Sequence, residues 1–67
     1  MKTFIIETEN ERFPMELEGN DLQDVMAALK RDGHIIGRKR FVTSEGAAEI
    51  NQAVVYREHI VAITEVD

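Results

Sequence analysis

Cysteine is absent from the 67 residues, so neither a disulfide nor a thiolate metal site can staple this chain. Two isolated histidines, His34 and His59, cannot complete a four-ligand zinc site. The single serine, Ser44, lies in Thr43-Ser44-Glu45-Gly46, which lacks the strand–elbow–helix setting of a hydrolase nucleophile and reads as a turn hydroxyl. No apolar run approaches membrane-spanning length, so no membrane span is expected. Residues 1–13 turn acidic after three apolar residues and offer no signal-peptide core, which predicts a cytoplasmic location. There is no internal repeat, low-complexity segment or linker, so residues 1–67 are expected to form one domain.

What is present begins with charge. The net charge of −5 opposes generic binding to phosphate backbones. It is unevenly spread: residues 1–24 hold two basic and seven acidic groups, residues 25–44 hold five basic and one acidic, and residues 45–67 hold one basic and five acidic. The middle third is therefore a positive island made of Lys30, Arg31, Arg38, Lys39 and Arg40, with His34 beside them.

One stretch, residues 20–33, carries a helix signal. Leu22, Val25, Met26 and Leu29 recur at i, i+3, i+4 and i+7, an apolar stripe that predicts a helix packed on a core. Asn20 or Asp21 can cap its start, Asp21 and Asp24 suit its positive end, and Lys30 and Arg31 suit its negative end. Gly33 is placed to stop it in the left-handed conformation.

Strand-like runs lie on both sides. Residues 2–8 alternate, with Phe4 and Ile6 on one face and Ile5 and Glu7 on the other. Asn10 can supply a positive-φ turn position, after which Phe13, Met15 and Leu17 point inward and Glu16 and Glu18 outward, completing a hairpin. Pro14 lacks an N–H for the ladder, so this second strand is expected to be an edge or to bulge there. Residues 34–43 carry isoleucines on both faces, and a bulge or sharp coil at Gly37 would switch parity between Ile35–Ile36 and Phe41–Val42. A turn at 44–46 precedes a strand at 48–56, with Ile50, Val54 and Tyr56 on one face and Ala53 and Val55 on the other. Residues 57–59 suit one turn of 3₁₀ helix, and residues 60–66 a closing strand.

The order β-β-α-β-β-β implies an α+β fold, an antiparallel sheet or half-barrel with one helix on one face. Ile5, Ile35 or Ile36, Val55 and one of Ile60 or Val61 are expected to point away from the helix. For so short a chain, apolar burial and ordering entropy come out near balance. Either the sheet curls to hide both sets, or a second subunit covers the rest; a symmetric homodimer is the expectation.

No catalytic or cofactor motif emerges. Gly33 and Gly37 form neither a P-loop nor a dinucleotide fingerprint, and Asp32-Gly33-His34 lacks the further carboxylates of a calcium loop. His34 and His59 have no nucleophile or carboxylate arrangement around them in the sequence and read as surface histidines. The expectation is a non-enzymatic module that binds protein, itself or a partner, and needs no metal or cofactor, of the kind that serves as a short regulatory or accessory protein of a bacterium or phage. The alternative is a nucleic-acid-binding accessory protein using the island Lys30, Arg31, His34, Arg38, Lys39 and Arg40. Against it stand the acidity of the chain and the lack of aromatic platforms, since Phe41 alone adjoins the island. Cross-strand pairing of the island with Glu16, Glu18, Glu49 or Glu65 is the simpler expectation.

Val55-Tyr56-Arg57-Glu58-His59-Ile60 resembles the second motif of Sm-like RNA-binding proteins. In that family a strand, a 3₁₀ link with a basic residue or His, and a closing strand build a ring interface and a base pocket. The resemblance covers about a dozen residues. That family begins with its helix, whereas here a hairpin comes first, and its glycine-bearing first motif has no counterpart, so the family is not assigned.

Overall fold

The computed structural model describes residues 2–19 and 21–66. Five strands, β1 (Lys2–Thr8), β2 (Arg12–Leu17), β3 (His34–Val42), β4 (Ala48–Tyr56) and β5 (Ile60–Glu65), form one antiparallel sheet in the order β4-β3-β2-β1-β5. The helix α1 (Leu22–Asp32) joins β2 to β3, and a 3₁₀ turn at Arg57–His59 joins β4 to β5. This is the expected α+β arrangement.

The core follows from alternation. Phe4 and Ile6 of β1 and Phe13, Met15 and Leu17 of β2 are buried on one sheet face, where Val25 and Leu29 of α1 and Ile35 of β3 meet them. The helix touches both β3 and β5, which flank β2 and β1, so the sheet curves about it. Asp21 caps the helix by accepting the Asp24 N–H at 3.0 Å, and Gly33, at φ 76°, closes it by donating its N–H to the Leu29 carbonyl at 2.8 Å. Asn20, the other candidate cap, lies outside the described residues.

Several local expectations are corrected. Met26 is 52% exposed, so the buried part of the helix stripe is Val25 and Leu29, with Leu22 half-buried. Asn10 does not take positive φ; the β1–β2 turn is held instead by the Thr8 hydroxyl oxygen, which accepts the N–H groups of Asn10 and Glu11. Pro14 lies in an interior strand, opposite Ile5, yet the β2–β3 ladder starts only at Met15, so the proline marks where the two strands part. Gly37 makes no bulge: the β3–β4 register runs unbroken from His34↔Tyr56 to Val42↔Ala48. Its glycine is needed for close approach, because a Cβ there would lie 2.2 Å from the Glu16 carbonyl oxygen. Val55 points to the helix side and packs against the core. A register shift does occur on β5, where Thr8 faces Ile60 and Glu7 faces Ala62. The extra residue is Val61, and the shift turns both Ile60 and Ile63 inward.

Candidate functional site

The unbroken β3–β4 register decides which side chains share the sheet face turned away from the helix. His34, Ile36, Arg38, Arg40 and Val42 lie on it, opposite Tyr56, Val54, Gln52, Ile50 and Ala48 respectively. Ile36 is 52% exposed and Val54, directly across, 45%; Ile50, Tyr56 and Val42 are exposed beside them. The Arg38–Gln52 row and Arg40 separate them into patches, and the face is hollowed between Glu18, Ile36, Arg38 and Ile50.

The six residues of the positive island do not form one surface. Arg38 and Arg40 lie on the outer face, Lys39 on the opposite face, and Lys30 and Arg31 on the helix that covers that opposite face. Most are engaged within the chain. The Arg40 guanidinium meets the Glu16 carboxylate at 3.0 Å. Lys39 Nζ lies 2.8 Å from Glu11 Oε1 and 4.2 Å from the centroid of the Phe13 ring, a cation–π contact. Arg31 makes two 3.0 Å hydrogen bonds to the neighbouring Asp32, which hold the Asp32 carboxyl below its ordinary range and raise the guanidinium further. His34 pairs Nδ1 with the Asp32 carbonyl at 3.0 Å, and its ring tilts against Tyr56 at 6.1 Å. Among the described residues Arg38 and Lys30 form no ion pair. Cross-strand pairing was expected for Glu16 and is found there; Glu65 instead accepts from Lys2 Nζ at 3.1 Å and from the Leu22 N–H at 2.7 Å.

His59, at the end of the 3₁₀ turn, places Nδ1 2.7 Å from Glu9 Oε1, and this hydrogen bond lowers the Glu9 pKa. The pair is exposed, with Glu58 at 3.8 Å on the other ring nitrogen. Among the described residues no three His, Asp or Glu side chains are grouped to hold a metal ion, and no helix is long and apolar enough to cross a membrane.

The other feature of the outer face is its edge. β4 has a neighbour on one side only, so the backbone groups along its other side have no ladder partner. Its nine residues, Ala48 to Tyr56, include no proline, no lysine and no arginine, and Glu49 is their sole charge. Edges normally carry such guards against pairing with another chain. Sequence reasoning placed Ile50, Val54 and Tyr56 on one face but passed over them as a surface; the available signal was this lack of guarding residues. In comparisons with known proteins, no family model matches the sequence and no curated protein or solved structure matches it.

Proposed function

We propose that this chain is a non-catalytic, cytoplasmic association module whose first partner is a second copy of itself, joined through β4. The observation that carries the reading is that β4 is complementary to itself. An antiparallel pairing of two β4 strands about a two-fold axis at Gln52 sets Ile50 opposite the partner's Val54 and Ala48 opposite the partner's Tyr56, all on the outer face. Gln52 meets its own equivalent, and the two five-stranded sheets become continuous. Ile36 and Val54 of each copy then line up with the exposed Ile50 of the other, giving two apolar rows, one on each side of a central row of Arg38 and Gln52.

The state of the positive island supports this reading over nucleic-acid binding. Arg31, Lys39 and Arg40 already meet carboxylates of their own chain, and the island is divided between two faces. Light scattering at micromolar concentration should give twice the chain mass, and the melting temperature should rise with protein concentration. Val54→Lys, which changes an exposed side chain, should give a folded monomer. A monomeric wild type with a concentration-independent melt would overturn self-association, and a dimer that survives Val54→Lys would move it away from β4. Salt-sensitive DNA or RNA binding at micromolar affinity would favour the nucleic-acid reading instead.

A further inference from the structure

The sheet's other edge strand, β5, also borders a groove. It runs between α1 and β5, tied at both ends: the Leu22 N–H donates to Glu65 Oε1 at 2.7 Å, and the Arg57 N–H donates to the Gly33 carbonyl at 2.9 Å. Helix and strand therefore run antiparallel. Between the ties the groove is apolar, with Leu22, Leu29, Ile60 and Ile63 below and Met26 and Val61 standing exposed at its mouth. Val61 is 64% exposed because the β5 register shift turns it out of the core. β5 pairs with β1 alone, so its outer backbone edge is open to a further strand.

Charge distinguishes the two ends. The Arg57 end carries Arg57 and Lys30, the latter one helical turn beyond Met26 and neither in an ion pair among the described residues, together with the Arg31–Asp32 pair and the exposed Glu58. At the other end Glu65, paired with Lys2, stands beside the helix cap Asp21 and Asp24 of the first turn. A strand added antiparallel to β5 runs from the Glu65 end toward Ile60 and brings its C-terminal side to the cations; a parallel strand would bring it to the acids. The 3₁₀ turn, tied to the helix end through Arg57 and Gly33, stands at that end of the groove, where a chain terminus meets the two cations.

We infer that the α1–β5 groove binds the extended C-terminus of another polypeptide, taking roughly four residues alongside Ile60–Ile63. Apolar side chains of the ligand rest on Met26 and Val61, and its terminal carboxylate lies between Arg57 and Lys30. This site uses β5, the other edge strand, which the Arg57–His59 turn joins to the end of β4.

The test is fluorescence anisotropy with the full chain and a labelled pool of hexapeptides. The pool carries Val, Ile or Leu at the last and third-last positions, Thr at the others and a free C-terminal carboxylate; a second pool is identical but C-terminally amidated. The carboxylate pool should bind, and the amide pool about tenfold more weakly, the loss expected for a hydrogen bond to a charged group. Arg57→Gln combined with Lys30→Gln should erase that difference. Met26→Glu, a change at an exposed position that should leave the melting temperature near wild type, should abolish binding of both pools. No anisotropy change up to about millimolar protein would overturn the proposal. So would equal affinity for the two pools, or a carboxylate preference that survives loss of both cations. Dimer mass is read separately, so neither result depends on the other.

Discussion

The two halves of the sheet are built on different terms. Seven of the eight buried apolar residues, Phe4 through Leu29, belong to β1, β2 and α1, and Ile35 at the start of β3 is the last. β4 buries none of its nine residues. The first half is held by side-chain packing, whereas β4 is held by its ladder to β3, with Ala53 and Val55 only half-buried against the core. Backbone hydrogen bonds add on the order of 1 kcal/mol each after exchange with water, much less than a packed side chain. The lesson is that the apolar side chains on the outer face of the β3–β4 arm, Ile36, Val42, Ile50 and Val54, are left exposed by the fold of a single chain. They are legible as surface, and they add nothing to the packing that holds the first half.

Gly37 is the joint between the halves, and breaking it should have the largest effect. The β2–β3 ladder spans only Met15↔Lys39 to Leu17↔Gly37, and a Cβ at 37 would overlap the Glu16 carbonyl oxygen and lie 2.6 Å from Leu17 Cδ2. Leucine can rotate aside, but the carbonyl is backbone, so Gly37→Ala must part β2 from β3. We expect a cost of about 4 kcal/mol or more, above the usual range for overpacking and close to the whole stability of a domain this small. Urea unfolding monitored by circular dichroism should show a chain largely unfolded at room temperature. A midpoint near that of the wild type would mean that β2 and β3 are less closely joined than this geometry requires.

The next contrast lies within one helix. Leu29→Ala empties a position only 3% exposed and should cost roughly 2–5 kcal/mol, while Met26→Ala, three residues earlier on the same apolar stripe, should cost under about 1 kcal/mol. Thermal melts of the two variants decide it. Similar losses would show that Met26 is covered in solution, as an occupied groove or another interface would cause.

That contrast also shows what could be read from the sequence. The alternation of Phe4 and Ile6 and of Phe13, Met15 and Leu17 predicts both strands and their buried face, because period two leaves little choice of register once one face is apolar. The helix boundaries were legible from Asp21 and Gly33, whose roles are local. What escaped was set by distant partners. Periodicity assigns Met26 to the stripe but cannot say how wide a stripe the sheet will cover. A glycine inside a strand reads as a bulge, yet Gly37 answers to the Glu16 carbonyl twenty-one residues away. The placement of Glu65 at the helix start joins residues 43 apart, and no local rule points to it. For the same reason the positive island looked continuous in sequence while strand alternation divided it between faces.

The smallest predicted effect concerns that last tie, and acid should loosen it. Hydrogen bonds from Lys2 Nζ and the Leu22 N–H hold the Glu65 carboxyl below its ordinary value of 4.5. Its folded pKa is thus lower than its unfolded one, so the stabilisation is complete above about pH 4.5 and is lost as the pH falls through the folded value. Glu9 and Asp32 are shifted in the same direction by His59 and Arg31, so the wild type should lose stability over the same acid range from three sites. Glu65→Gln removes one of the three. Its melting temperature should lie slightly below that of the wild type at neutral pH, and the two should converge as the pH is lowered past the ordinary carboxylate range. Salt should narrow the neutral-pH gap, since the Lys2 contact is partly exposed. Calorimetric scans across that range that stay parallel would show that Glu65 gives the α1–β5 end no charge-dependent support, leaving apolar packing to hold helix and strand together.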